Sequence, residues 1–207
     1  MKFYFFVILF HLLVPFIYAD NEGNSEYAFG GGYTYFNDQT TKNLKPDSGF
    51  LIRIQNGNGQ ANIVSFISNL EFVMSGKNHG DFIDKKGHSI NNAYFDLYLI
   101  NYTMGVRIST YPQSPILPYI GASGALSIAS LHFRNKTSSD FSKQQRGLMY
   151  GYDVFAGLDF YFVGNKDNGW GLRLEGNMMS LYAVQKFDCG RPQIQTLNGS
   201  LMIVTTF

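Results

Sequence analysis

The chain has 207 residues, enough for one domain of ordinary size. Its 16 basic and 15 acidic residues almost balance, which removes any electrostatic case for a nucleic-acid partner or an acidic substrate. A single cysteine excludes an internal disulfide framework, and 19 Phe, 14 Tyr and 22 Gly favour strands and tight turns over helices.

Residues 1–19 read as a secretory signal. Lys2 is the sole charge before Asp20, positions 3–17 are almost wholly apolar, and Ala19 supplies the small residue at the cut. The mature domain is then 20–207, and removing Lys2 makes its basic and acidic residues equal in number. No later segment reaches the roughly 18 uninterrupted apolar residues of a membrane helix.

From there the chain alternates with a period of two, the signature of strands with one apolar and one polar face. The first strand is expected over 26–37, with Tyr27, Phe29, Tyr33 and Tyr35 on one face and Ala28, Gly30, Gly32 and Thr34 on the other. The second (48–55) sets Phe50, Ile52 and Ile54 against Leu51, Arg53 and Gln55, and Asn56–Gly59 make a tight turn. The third (61–75) sets Val64, Phe66, Leu70, Phe72 and Met74 against Ser65, Asn69, Glu71 and Ser75. Ile63, Ile67 and Val73 break its polar face. A polar stretch, 76–92, reads as a long loop.

The fourth strand (93–109) opposes Tyr98, Ile100, Tyr102, Met104, Val106 and Ile108 to Asn101, Thr103, Gly105, Arg107 and Ser109. In the fifth (117–133) the inward set, Gly121, Ser123, Ala125, Ser127 and Ala129, is uniformly small. A second polar loop covers 134–148. The sixth strand (149–163) opposes Tyr152, Val154, Ala156, Leu158, Phe160 and Phe162 to Gly151, Asp153, Gly157 and Asp159. The seventh (170–184) opposes Trp170, Leu172, Leu174, Met178 and Tyr182 to Arg173, Glu175 and Asn177. The last, 196–207, alternates Leu197, Leu201, Ile203 and Phe207 with Asn198, Ser200 and Thr206.

An even count of eight strands, longer loops after strands one, three and five, and short turns after two, four and six predict an all-β fold. It is an eight-stranded antiparallel up-and-down transmembrane β-barrel, apolar outside and polar inside. A final strand that ends on a bare Phe fits closure, because the last strand then pairs with the first.

On that parity Arg53, Glu71, Arg107, Asp153, Asp159, Arg173 and Glu175 all point inward. Unpaired charge in a narrow interior is costly, so these residues are expected to form a salt-bridge network that fills the lumen. The donors His79, Asp81, Asp84 and His88 meet no fixed ligand spacing and read as a solvated loop, so neither a metal nor a cofactor is expected. The Gly30–Gly32 run lacks the Lys-Ser/Thr of a phosphate loop.

Several segments resemble small eight-stranded outer-membrane barrels of the OmpA/OmpX and opacity types. They are Pro118-Tyr119-Ile120-Gly121-Ala122, the run 151–159 (GYDVFAGLD), Leu172-Arg173-Leu174-Glu175-Gly176 and the terminal Phe207. The resemblance implies location in a bacterial outer membrane, contact with its lipid and lipopolysaccharide, and recognition of Phe207 by the barrel-assembly machinery. It also implies a structural or surface-interaction, adhesin-like role without catalysis, carried by the loops 76–92 and 134–148 that would meet an external ligand or cell surface. Two alternatives stand beside it. A narrow porin would need a wet path past the inward charges. A lipid-A-modifying enzyme would use His132, but Arg134 stands where the lipid A deacylase pattern has its serine.

Overall fold

The computed structural model describes residues 25–36, 48–58, 63–75, 78–83, 89–109, 114–134, 142–164, 168–185 and 193–207. The expected signal segment, Asp84, His88 and Cys189 lie outside the described residues. Nine strands are present among them: β1 (Ser25–Phe36), β2 (Ser48–Asn58), β3 (Val64–Ser75), β4 (Asn78–Ile83), β5 (Ser89–Ser109), β6 (Ile116–Arg134), β7 (Ser142–Gly164), β8 (Gly169–Ala183) and β9 (Gln193–Thr206).

Eight of them close a barrel. The pairing order runs β3-β2-β1-β9-β8-β7-β6-β5, and β5 pairs back onto β3, all antiparallel. The β1–β9 seam places Glu26 opposite Thr206 and Tyr35 opposite Leu197. The Ser25 amide donates to the Phe207 carbonyl at 2.9 Å, the Phe207 amide returns a bond to Ser25 at 3.1 Å, and the Phe207 ring stacks on Tyr27 at 5.4 Å. Closure satisfies the backbone groups that an open sheet edge would leave unpaired, the condition for strands in lipid. The seam is tight: a methyl at Gly32 would sit 1.9 Å from the Gly199 carbonyl oxygen.

β4 is the ninth strand because the path of β3 is interrupted rather than finished. β3 pairs with β5 as far as Met74–Tyr98, and β4 resumes against the same strand at Asn78–Phe95.

Parity sorts the side chains as the alternation requires. Phe29, Tyr33, Phe50, Phe66, Ile120, Leu126, Tyr150, Phe162, Trp170, Leu174, Leu201 and Ile203 lie exposed on the outer wall. An apolar exterior that runs round every wall strand is uncovered only in water, and a bilayer covers it. No helix among the described residues is long and apolar enough to cross a membrane.

The inner face is layered. At the end that holds Ser25 and Phe207, Ala28, Leu117, Tyr161, Met202 and Val204 form one apolar plug. Towards the opposite end Leu51, Val73, Leu97, Leu99, Leu131, Met149, Met179 and Leu181 form a larger one. Val73, which breaks the polar face of β3 in sequence, belongs to this plug, and Ile67 packs inside with Tyr119 and Phe155.

Three expectations change. Asn56, Gly57 and Asn58, expected in a tight turn, extend β2 and pair with Ser68, Ile67 and Phe66. The segments 76–92 and 134–148 are not simply loops: β4 and the first part of β5 pair within the first, and β6 runs to Arg134 while β7 begins at Ser142 within the second. Past the closed barrel both faces of a ladder can meet water, so the backbone pairing persists while the period-two hydrophobic signal vanishes.

Candidate functional site

Two features stand out: the charged layer between the plugs, and the sheet that continues past the closed wall.

The charged layer holds two linked clusters. In the one nearer the chain termini, Glu26 on β1 accepts two bonds from the Arg107 guanidinium of β5, at 2.9 and 2.8 Å, and one from Arg173 of β8 at 2.5 Å. Arg173 makes a second two-pronged pair with Asp159 of β7, at 2.7 and 2.6 Å, and also donates to Gln55. Arg107 adds a bond to Ser65 at 3.2 Å. In the other cluster Arg53 of β2 pairs with Glu71 on one side and Glu175 on the other. Arg53 also donates to Asn177 at 2.8 Å, and Asn177 passes its own amide hydrogen to Asp153 at 2.7 Å.

Tyr119 of β6 joins the clusters. Its hydroxyl donates to Glu175 at 2.7 Å, and the guanidinium groups of Arg107 and Arg173 each lie over its ring, 5.2 Å from the ring centre. Cation–π contact suits a delocalised guanidinium held away from water.

All seven inward charges picked from the sequence therefore lie within this layer, buried. Sequence reasoning missed Glu26, the hub of the first cluster. The signal was available: Glu26 shares parity with Ala28, Gly30 and Thr34. It also missed Tyr119, which shares parity with the small residues of β6.

Chemically the layer is a permanent cross-brace. Each guanidinium reaches carboxylates on other strands, so the clusters tie β1, β2, β3, β5, β7 and β8 across the lumen. Among the described residues no three His, Cys, Asp or Glu side chains converge as metal ligands would. Among the described residues, clusters of buried apolar side chains lie on both sides of the charged layer.

The second feature begins where closure stops. β7 pairs with β8 only as far as Met149–Ala183, although β7 itself starts at Ser142 and β6 runs to Arg134. On the other side β4 and β5 pair from Asn78–Phe95 to Ile83–Ser89. Four strands, β4-β5-β6-β7, thus continue beyond the barrel, and at about 3.3 Å per residue the β4–β5 part rises roughly 20 Å. Among the described residues its outer edges, β4 and the stretch 142–147 of β7, carry no neighbouring strand.

At the base of this sheet, on its membrane side, His132 sits half-buried opposite Asp96 and Gln144, and Ser130 accepts a bond from the Gln144 side chain at 3.0 Å.

These features define the class: a transmembrane, eight-stranded, up-and-down β-barrel with an ion-paired interior. No family model matches the chain, and no curated protein does. Solved outer-membrane barrels are among the structures similar to it. Neisserial surface protein A is 16% identical, with 89% of this chain and 96% of that one covered and a TM-score of 0.46. Ail, the attachment invasion locus protein of Yersinia pestis, is 15% identical, with 90% and 99% covered and a TM-score of 0.46. The N-terminal barrel domain of Pseudomonas aeruginosa OprF is 16% identical, with 89% and 97% covered and a TM-score of 0.41. The strand order and closure carry the fold assignment by themselves.

Proposed function

We propose that this chain is a non-catalytic outer-membrane surface protein: a sealed barrel that carries a contact sheet outside the cell. The observation that carries the reading is the projection of β4–β7 beyond the closed wall while the lumen beneath is plugged. A sheet edge without a neighbour presents backbone donors and acceptors in a row, and a partner chain can add a strand to it.

The proposed orientation rests on the proposed route of export. Both barrel termini lie at one end, and export through a cleaved signal with Phe207 read by the assembly machinery leaves that end in the periplasm. The projecting sheet then faces outward, with lipopolysaccharide around its base and a host, prey or neighbouring cell as its partner. Ail has been solved in complex with the heparin analogue sucrose octasulfate. A comparable ligand for this chain lies within the same proposal.

The alternatives fare less well. A narrow pore must pass both apolar plugs as well as the ion pairs. A lipid-editing enzyme built on His132 lacks a serine at position 134, and the nearby Ser130 is bonded to Gln144.

The test is adherence. The full chain is produced in a Gram-negative host, and binding of whole cells to cultured epithelial cells and to other bacteria is compared with a variant in which 78–95 is replaced by a two-residue turn. The expected result is loss of binding with the barrel still folded in the outer membrane. Unchanged binding, or none by either form, would overturn the reading.

A further inference from the structure

The base of the projecting sheet presents a polar patch on the membrane side of the wall. Along β7 the outward-facing positions pass from the exposed Tyr152, Tyr150 and Leu148 to the exposed Arg146 and Gln144. Along β6 they pass from Leu126 and Ile128 to Ser130 and His132. The register aligns these changes, with Ser130 opposite Arg146 and His132 opposite Gln144. Tyr98 and Asp96 flank them on β5, opposite Ser130 and His132.

Tyr98, Tyr150 and Tyr182 mark the interface, since tyrosine rings gather at headgroup depth. Tyr150 and Tyr182 pack with ring centres 6.1 Å apart. Arg146 stands four residues past Tyr150 on the same face, roughly 13 Å along the strand and less along the membrane normal because barrel strands tilt. That height is the layer of phosphates and sugars just outside the hydrocarbon.

We propose that Ser130, His132, Gln144 and Arg146 bind the phosphate-bearing headgroup of an outer-leaflet lipid. The inference rests on the outward orientation given above. The patch is continuous with the apolar wall, so a lipid whose acyl chains lie on Leu126, Leu148 and Tyr152 has its headgroup at these four side chains. The groups suit phosphate oxygens: a guanidinium with five fixed donors, an amide NH2, a hydroxyl and an imidazole. The bond from Gln144 to Ser130 draws two of them together. Asp96 lies across His132 from Gln144, so the carboxylate and the guanidinium are at opposite sides of the patch.

A purely protective role for the charge must be separated from this one, because charged residues also keep sheet edges from pairing. Arg146→Glu does so: the edge stays charged while the sign reverses. The experiment follows thermal unfolding of the purified folded barrel in mixed micelles containing diphosphorylated lipid A, the same lipid dephosphorylated, or inorganic phosphate. The native chain is expected to gain stability with the phosphorylated lipid alone. Arg146→Gln and Arg146→Glu are expected to need about tenfold more lipid for half the effect, the worth of one charge-assisted bond.

Equal stabilisation of the native chain and Arg146→Glu would overturn the proposal. So would an equal effect of the dephosphorylated lipid, or of inorganic phosphate. Orientation is read separately, by protease access to the 134–142 connection on intact cells. A sheet that faces the periplasm would sink the surface-protein reading, and the micelle result would still report whether the patch takes phosphate.

Discussion

Glu26 and Arg107 stand 81 positions apart in the chain and meet inside the barrel in a two-pronged ion pair with N–O distances of 2.9 and 2.8 Å. The pair spans from β1 to β5, and Arg173 binds the same carboxylate from β8. A buried guanidinium is tolerated because its partner is there. Removing one partner of such a pair strands a charge away from water, at a cost of about 3–5 kcal/mol. Glu26→Gln leaves Arg107 without its carboxylate partner, while Arg173 keeps Asp159, and is expected to destabilise the folded barrel by about that range. Urea unfolding in lipid vesicles measures it. A loss below about 1 kcal/mol, the worth of an exposed pair, would mean that water reaches the cluster.

Arg53 makes the parallel case with opposite sign. It serves both Glu71 and Glu175, and through Asn177 it is linked to Asp153. Arg53→Met keeps much of the side-chain volume but leaves carboxylates facing one another. It is expected to be more damaging than the double change Arg53→Met with Glu71→Gln. Unfolding midpoints of the two variants in the same vesicles decide the order. A double variant no better than the single one would count against direct coupling.

Tyr119 separates ring from hydroxyl. Tyr119→Phe removes the bond to Glu175 and keeps the ring contacts with Arg107 and Arg173, so a loss of about 1–3 kcal/mol is expected. Tyr119→Ala removes the cation–π contacts and opens a cavity, and a clearly larger loss is expected. Equal losses would mean that the ring contributes nothing.

The fold was legible in the sequence because a closed barrel prints its geometry as strict alternation. Arg53, Glu71, Arg107 and Arg173 could each be assigned to the interior from their neighbours along a strand. The pairing among them could not, because partners sit on strands far apart in the chain, and distance along the sequence carries no information on shear. Glu26 was overlooked at the first position of its strand, where only one side of the alternation is visible. The projecting sheet is not legible as strands for a physical reason: residues such as Gln144 and Arg146 lie past the hydrocarbon band, where an outward face needs no apolar side chains and the period-two signal is lost.

The interior predicts electrical silence. Met149, Met179 and Leu181 lie in a buried apolar cluster above the charged layer, and Leu117, Tyr161 and Val204 in another below it. Planar bilayers holding the purified protein are expected to show no resolved conductance steps, and Arg107→Ala to leave the trace unchanged. Regular steps altered by that substitution would revive the pore.

The seam gives a sharper test of closure. A side chain at Gly32 would collide with the Gly199 carbonyl, and one at Gly30 would come 2.0 Å from that of Leu201. Gly32→Val is expected to prevent β1 from pairing with β9 and to abolish assembly. Gly124→Val, on the open outer wall where an added methyl meets nothing within 4 Å, is expected to be tolerated. Comparing the folded fraction of the two variants in membranes reads the difference.

On this reading the chain folds as a closed barrel in the outer membrane. Gel migration of unboiled and boiled samples from a purified outer-membrane fraction tests it directly, since a closed ladder with its ion pairs intact resists detergent until heated. A closed barrel gives two mobilities, with the faster form lost on boiling and absent in Gly32→Val. A single mobility, with the protein recovered in the soluble periplasm, would contradict it.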